Sequence, residues 1–367
     1  METTMNQEME NHTHSSASSE FNPELTTELP LYIQWRQVDG ALIYPIVPIL
    51  FFSVLGVGTN ILNILVFIKM GLQETTTISM LALAVSDLIC CIMAFWTYLC
   101  YVPAFRDMPG LPFQSVEVSL ETGQTFRPYV IRTGALITAF ITLERCLCVV
   151  IPLKVKNIIT LSATRVLIVV IYIITIVPYI AHPMLYQLDW KFYPYLNRSL
   201  VGAVYKENPL AILFMLIASY LCGFFYLLLA TSVVIVCTLF LVINLLRSSR
   251  WRESMRKQTG ASTAKSADMK TSSSRREDRL IKQVVVIAIL FIICTTPGAV
   301  SMFIIAVSKD FVEKSRFYPS TLVLQGYLFA FETVNNSVNF FVYYVIGTKF
   351  RLVFRQMIGV KENTASS

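Results

Sequence analysis

The sequence predicts an all-α membrane protein, a bundle of seven transmembrane helices followed by a short amphipathic eighth helix. The chain has 367 residues, of which 55% are hydrophobic and only 14% are charged. A soluble domain of this size would expose too much apolar surface, so the composition is typical of a membrane protein. Seven separate apolar runs reach the roughly 20 residues that a helix needs to cross the hydrocarbon core of a bilayer.

The seven runs, which we name spans one to seven, divide the chain. They cover residues 44–70, 76–102, 126–150, 162–186, 210–246, 280–307 and 320–346. Residues 1–43 form a polar tail before them. Residues 347–357 are a short basic amphipathic stretch of the kind that lies on a membrane surface, and residues 358–367 form a short polar tail.

The basic residues give the predicted bundle a direction across the membrane. Residues 1–40 contain seven acidic residues and one basic residue, whereas residues 247–282 contain eleven Lys or Arg against four Asp or Glu. Because Lys and Arg accumulate in cytoplasmic loops, we expect a multi-pass plasma-membrane protein with its amino terminus outside. Asn11 and Asn197 begin Asn-x-Ser/Thr triplets on the predicted exterior, so both are candidate glycosylation sites.

Cysteine and histidine usage argues against two kinds of site. All eight cysteines fall inside predicted spans or at their ends, so the sequence predicts no disulfide. Two of the three histidines lie in the amino-terminal tail, which argues against a histidine-based metal site inside the bundle. A seven-span hydrolase would need a His/Asp cluster or a Ser/His pair at membrane depth. His182 alone does not supply one, so we predict no catalytic residues and no enzyme.

Carboxylate and amide side chains stand inside the apolar spans, where they are costly. Asp87 lies in the middle of span two, and a carboxylate at that depth is unfavourable unless it faces the bundle and finds polar partners. Asn60 in span one and Asn335, Asn336 and Asn339 in span seven lie at comparable depth. Ionisable residues inside a span are by default functional, so these residues are a candidate functional site. The alternative is an interhelical hydrogen-bond network that only holds the bundle together.

The inner end of span three carries the triplet Glu144-Arg145-Cys146, followed by a basic loop with Lys154 and Lys156. Arginine is charged under all ordinary conditions, so Arg145 beside a helix bundle needs carboxylates or a partner protein. The alternative is an arginine that extends to the lipid headgroups at a helix end.

Taken together, these motifs resemble those of rhodopsin-like (class A) G-protein-coupled receptors over roughly residues 44–357. The residues that carry the resemblance are Gly58-Thr59-Asn60, Leu83-Ala84 with Asp87, Glu144-Arg145, Cys294-Thr295-Thr296-Pro297 and Asn339-Phe340-Phe341-Val342-Tyr343. Two departures stand out. Phe340 replaces the proline of the family's Asn-Pro-x-x-Tyr motif, and Thr295 replaces a large aromatic residue. The loop after Glu144-Arg145 and the run Ser337-Val338-Asn339-Phe340 resemble a divergent invertebrate branch, that of molluscan chemosensory receptors and FMRFamide-like peptide receptors.

The resemblance implies an activation switch and an ion site. Arg145 would be restrained by Glu144 and by Glu277 at the inner end of span six until that span moves outward. The residues of the switch and of G-protein coupling would be Glu144, Arg145, Glu277, Pro297, Asn339 and Tyr343. A sodium ion with its waters would act as an allosteric modulator, not a cofactor, at Asn60, Asp87, Asn335 and Asn339. The family's disulfide between span three and the exterior loop has no counterpart here, because residues 111–126 and 182–210 contain no cysteine.

The outer half of span three carries two arginines, Arg127 and Arg132. Helical spacing from Arg145 places Arg127 and Ile131 on the face toward the bundle, and Arg132 about 140° away, toward spans four and five. An arginine inside the bilayer costs roughly 2.5–3.5 kcal/mol and favours a carboxylate partner. Span seven offers Glu332 at this depth, so these residues predict a site for a ligand with an acidic group. An internal Arg–Glu salt bridge without a ligand role is the alternative.

The leading hypothesis is therefore a receptor that binds an extracellular peptide or small chemosensory ligand and activates a heterotrimeric G protein. The net charge of +7 lies mostly on the predicted cytoplasmic side, which suits anionic membrane lipids and a G protein and not nucleic acid. A transporter is the second hypothesis. It would show internal repeats and broken spans at matching positions, and the sequence shows neither. A membrane hydrolase is the third.

Overall fold

A computed structural model describes residues 31–151, 154–258, 267–307 and 318–359. Six of its helices are long and apolar enough to cross a membrane, and they correspond to spans one to six. The helix of span seven is continuous over 29 residues, but Glu332, Asn335, Asn336 and Asn339 make it less apolar than the other six. The predicted fold class, a helical bundle of seven spans, is confirmed.

The helices of the bundle have the following bounds. Span one lies in Leu31–Met70, span two in Thr75–Tyr101, and span four in Leu161–Ile176 followed by a 3-10 turn, Val177–Ala181. Span three consists of Ser115–Ser119, the π-helical turn Leu120–Gln124 and Arg127–Val150. Span five consists of Pro209–Tyr220, the π-helical turn Leu221–Phe225 and Tyr226–Gln258. Span six lies in Ala267–Val307, span seven in Tyr318–Ile346, and the amphipathic helix is Thr348–Met357. Pro103–Arg106 and Val155–Ile158 are short helices in the connections.

The helices of spans one, three, five and six extend beyond their apolar runs, whereas span four ends before its run does. The boundaries of spans three and four have a local explanation. Span three starts at Ser115 and not at residue 126, because the Gln114 side chain caps the added first turn by accepting from the Glu117 amide at 2.7 Å. Span four leaves α-helical geometry after Ile176, just before Pro178, and strand structure begins at Tyr186. Composition alone marks neither boundary, because the added start of span three is largely polar and because apolar side chains continue past the end of span four.

A β-hairpin connects spans four and five. Strand β1 (Tyr186–Tyr193) pairs antiparallel with strand β2 (Arg198–Tyr205). The connecting turn holds the exposed Asn197 at a φ of 48°, in the left-handed region that asparagine tolerates better than most residues. We call this end of the bundle the hairpin end, and the opposite end, where Arg145 lies, the Arg145 end.

Spans one, two and seven approach closely at Gly56. A Cβ atom there would collide with the Cys91 sulfur and lie 3.2 Å from the Ser337 Cβ, so only glycine permits this contact. Nearer the Arg145 end, Phe67, Tyr343 and Phe350 pack with ring centroids 5.1–5.6 Å apart. This cluster joins the amphipathic helix to the core, because Phe350 belongs to that helix.

Candidate functional site

Arg127 is buried between spans three and seven, on the side of its helix that helical spacing predicts. Its side chain is 1% exposed, and Nη2 lies 3.5 Å from Glu332 Oε2. The same nitrogen donates to the Thr333 hydroxyl at 3.2 Å and to the Phe329 carbonyl at 3.3 Å. The guanidinium also lies 4.9 Å from the centre of the Phe329 ring, a cation–π distance. The structure thus brings Arg127 and Glu332 together as an interhelical ion pair.

Arg132 lies toward span five. Its Nε donates to the Cys222 carbonyl at 2.8 Å, within the π-helical turn of that span. The buried side chain also borders a cavity of about 20 Å³ whose walls include Glu332 and Ser301. Glu332 therefore lies beside both arginines, and the region holds two positive charges against one negative charge.

Ile131 borders a different cavity, also of about 20 Å³, which Asp87, Thr295 and Asn335 line. Glu332 forms part of this wall as well, so it separates the two cavities. A cavity needs roughly 10–15 Å³ to hold one water, so each has room for a water or a small ion. A larger ligand would have to widen them.

Asp87 is buried in the second cavity. The Asn339 side chain donates to its Oδ2 at 2.8 Å, and Asn335 lines the same space. Asn60 contributes differently. Its Nδ2 donates to the carbonyls of Gly56 at 2.9 Å and Asn336 at 2.7 Å, so it joins spans one and seven. Two of the four predicted ion-site residues, Asp87 and Asn335, thus line one cavity. Asn339 binds Asp87, and Asn60 supports the backbone of span seven.

At the Arg145 end, Glu144 and Arg145 form a pair that span two completes. Arg145 Nη2 lies 2.6 Å from Glu144 Oε1, and Glu144 is 1% exposed. The same carboxylate oxygen accepts from the Thr75 hydroxyl and lies 3.4 Å from the Thr76 hydroxyl. Arg145 also donates to the Thr76 hydroxyl. The two threonines were not predicted from the sequence, although their place at the start of an apolar span was a usable signal.

At the Arg145 end, span six contacts span two and the start of the amphipathic helix through Gln283. This side chain is buried, with Nε2 3.8 Å from the Met80 sulfur of span two. It also lies against Gly347, where a Cβ atom would be 3.3 Å from the glutamine oxygen. Glu277 belongs to the same helix, but its side chain lies outside the described residues.

Two further predicted switch residues lie in the bundle. Pro297 is inside the helix of span six, where it cannot donate a backbone hydrogen bond. Tyr343 of span seven is buried among aromatic rings, and its hydroxyl has no hydrogen-bond partner within the described chain. A buried hydroxyl without a partner is unfavourable, so a conformation that satisfies it would gain free energy.

The structure describes all the cysteines and one of the two candidate glycosylation sites. All eight cysteines lie in the described ranges, and none of them forms a disulfide there. Asn197 is exposed on the hairpin turn, whereas Asn11 lies outside the described residues.

Seven spans, two ion pairs on span three and a short amphipathic helix after span seven are typical of a serpentine receptor of the G-protein-coupled class. The family described as serpentine type 7TM GPCR chemoreceptor Srw matches residues 48–361, which include most of span one and all later spans. The chain belongs to this family of chemoreceptors and is a multi-pass membrane protein. No curated protein matches it.

Proposed function

We propose that the chain is a plasma-membrane chemosensory receptor, and not an enzyme, that binds an extracellular ligand at the hairpin end and activates a heterotrimeric G protein at the Arg145 end. One observation carries this proposal: span three bears two ion pairs, Arg127–Glu332 toward the hairpin end and Glu144–Arg145 at the Arg145 end, each with one almost fully buried member. A helix anchored by charges at two distant points can transmit a rearrangement from one to the other. Ligand binding then needs only to favour one of two conformations.

The orientation in this proposal has the hairpin outside the cell. It is supported by the exposed Asn197 in its Asn-x-Ser triplet and by the basic residues of 247–282. The amphipathic helix Thr348–Met357 would then lie against anionic lipids of the inner leaflet. Nucleic acid is not an expected partner.

The proposed ligand is a small molecule or peptide with an acidic group. Two buried arginines beside one carboxylate leave a positive charge that an anion would balance. A carboxylate is favoured because a guanidinium binds it through two parallel hydrogen bonds. The resemblance to rhodopsin-like and FMRFamide-like peptide receptors keeps a peptide within this class.

The test is a screen of anionic small molecules and short peptides against a calcium or cAMP reporter in transfected cells. Arg127→Ala and Arg132→Ala are expected to weaken the potency of an active compound by about tenfold or more, the equivalent of 1.4 kcal/mol. Arg198→Ala, an exposed arginine on β2, is the matched control. Unchanged potency in both buried variants at equal surface levels, or an active compound without an anionic group, would contradict the ligand site.

We also propose that sodium binds beside Asp87 as an allosteric modulator. The support is a carboxylate in a water-sized cavity with Asn335 and Asn339 nearby. Sodium chloride is expected to raise the melting temperature of the purified receptor by a few degrees relative to choline chloride at equal ionic strength, because binding to the folded state stabilises it. Asp87→Asn should lose this difference, while Asp189→Asn, on the exposed strand β1, should keep it. A sodium effect that persists in Asp87→Asn would remove the site.

A further inference from the structure

A single carboxylate oxygen connects both strands of the hairpin to span three. Glu117 lies in the first turn of span three, and its Oε2 accepts from the Tyr193 hydroxyl at 2.7 Å and from the Ala203 amide at 3.0 Å. The Lys191 ammonium lies 3.7 Å from the same oxygen. Tyr193 and Lys191 belong to β1 and Ala203 to β2, so one side chain anchors the whole hairpin.

Gly202 provides the space in which this oxygen lies. A Cβ atom at Gly202 would overlap the Tyr193 hydroxyl and lie 2.7 Å from Glu117 Oε2. Any side chain at this position would therefore displace both groups. The hydrogen bond between the Tyr193 hydroxyl and the Glu117 carboxylate therefore requires glycine at position 202.

Backbone hydrogen bonds support the same attachment on the β2 side. The Gln114 amide donates to the Val201 carbonyl at 2.8 Å, and the Val201 amide donates to the Pro112 carbonyl at 2.9 Å. These bonds join β2 to the segment that leads into span three. Glu117 adds β1 through a hydrogen bond from the Tyr193 hydroxyl, which a carboxylate acceptor strengthens, and through an ion pair with Lys191.

We propose that Glu117 is the positioning residue of the hairpin, a non-covalent clamp that fixes it at the mouth of the bundle. The clamp lies about 15 Å along span three from Arg127, since the two residues are ten positions apart in a largely helical segment. Its position would set the width of the entrance to the ligand site, and this consequence rests on the proposed function. The clamp itself does not depend on the proposed function. Because it contains no covalent bond, the hairpin can leave span three and return.

The clamp can be tested by limited trypsin digestion of the full-length receptor purified in detergent. Lys191, Arg198 and Lys206 are exposed on the hairpin, and fragments that end at these residues are measured by mass spectrometry. A protease cuts the released segment, so the rate of cleavage reports how often the hairpin leaves span three. Glu117→Ala is expected to raise this rate by about tenfold or more, because two charge-assisted hydrogen bonds are lost.

Three variants make the test specific. Glu117→Gln keeps an acceptor oxygen but weakens both hydrogen bonds by removing the charge, so it is expected to be cut faster than the wild type and clearly more slowly than Glu117→Ala. The half-exposed Lys191 contributes little to this difference. Tyr193→Phe removes one donor and should give an intermediate rate. Glu207→Ala, an exposed acid just after β2, is the matched control and should leave cleavage unchanged.

The proposal is overturned if Glu117→Ala is cut no faster than the wild type, or if Glu117→Gln is cut as fast as Glu117→Ala. Melting curves measured with a thiol-reactive dye, which reports the buried cysteines, show whether each variant is folded. If Glu117→Ala does not fold, Tyr193→Phe decides, and its cleavage at the wild-type rate overturns the proposal. The assay contains neither ligand nor G protein, so its result is independent of the proposed function.

Discussion

Glu332→Ala is expected to destabilise the folded receptor by about 3–5 kcal/mol, the usual cost of removing one partner of a buried ion pair. The Arg127 guanidinium lies 3.5 Å from this carboxylate and is almost fully buried. An arginine cannot escape by losing its proton, so the charge would remain in the bundle. Its other partners, the Thr333 hydroxyl and the carbonyl and ring of Phe329, are neutral.

The measurement is equilibrium unfolding of the purified receptor, compared with the double variant Arg127→Ala/Glu332→Ala. The double variant is expected to recover most of the lost stability, since it removes both charges and leaves no unpaired group at this point. Arg198→Ala on the exposed hairpin serves as the control for loss of an arginine. A Glu332→Ala receptor as stable as the wild type would show that water or Arg127's neutral partners compensate the charge.

This comparison also separates the two interpretations of the pair. An internal salt bridge without a ligand role predicts a stability loss and an unchanged response to agonist in variants that reach the cell surface. A ligand site predicts both a stability loss and a change in potency. Stability and potency are measured independently, so one set of variants distinguishes the interpretations.

The sequence was sufficient for the parts of this molecule that depend on local pattern. Apolar runs of membrane length predicted the bundle, and helical spacing from Arg145 placed Arg127 on its inward face. Both depend on the geometry of one helix, which is known in advance. Even so, the apolar runs misplaced the start of span three, because a side chain from Gln114 and contacts with the hairpin stabilise helix beyond the apolar run.

The parts that depend on distant partners were not predicted. Glu117 was one acid in a connecting segment, and nothing near it in the sequence indicates Tyr193 or Gly202. The hairpin itself was missed because its strands lie between two long apolar spans, although the three aromatic residues between Trp190 and Tyr193 favour a strand. Thr75 and Thr76 gain their role only once span two packs beside Glu144. Such contacts become visible when the helices are assembled.

Glu144→Ala is expected to raise ligand-independent signalling by about fivefold to tenfold at equal surface expression, which corresponds to about 1–1.4 kcal/mol. Glu144 Oε1 joins Arg145 to the threonines of span two, and it is buried where its charge is poorly screened. Loss of this oxygen would free Arg145 to contact a G protein. The active conformation then becomes more populated without any ligand.

The measurement is basal reporter activity in transfected cells, normalised to receptor at the cell surface. Glu74→Ala is the matched control. This acid directly precedes the two threonines of span two, and its exposed ion pair with Lys349 contributes little to stability. Arg145→Ala should be silent with and without ligand if this residue contacts the G protein. Glu277→Ala should raise basal activity in the same direction as Glu144→Ala if Glu277 is the second restraint.

The combination of variants locates the restraint. Arg145 contacts Glu144 of its own span and Thr76 of span two. Span six makes a separate contact, in which Gln283 packs against Met80 and Gly347. If Glu144→Ala leaves basal activity unchanged while Gln283→Ala raises it, the packing of span six holds the inactive state and the ion pair only shapes the G-protein surface. If Glu144→Ala alone raises it, the contact between spans two and three, and not the packing of span six, holds the inactive state. The two contacts share no residue, so the effects of Glu144→Ala and Gln283→Ala on the free energy of activation should add. Each variant therefore reports on its own contact.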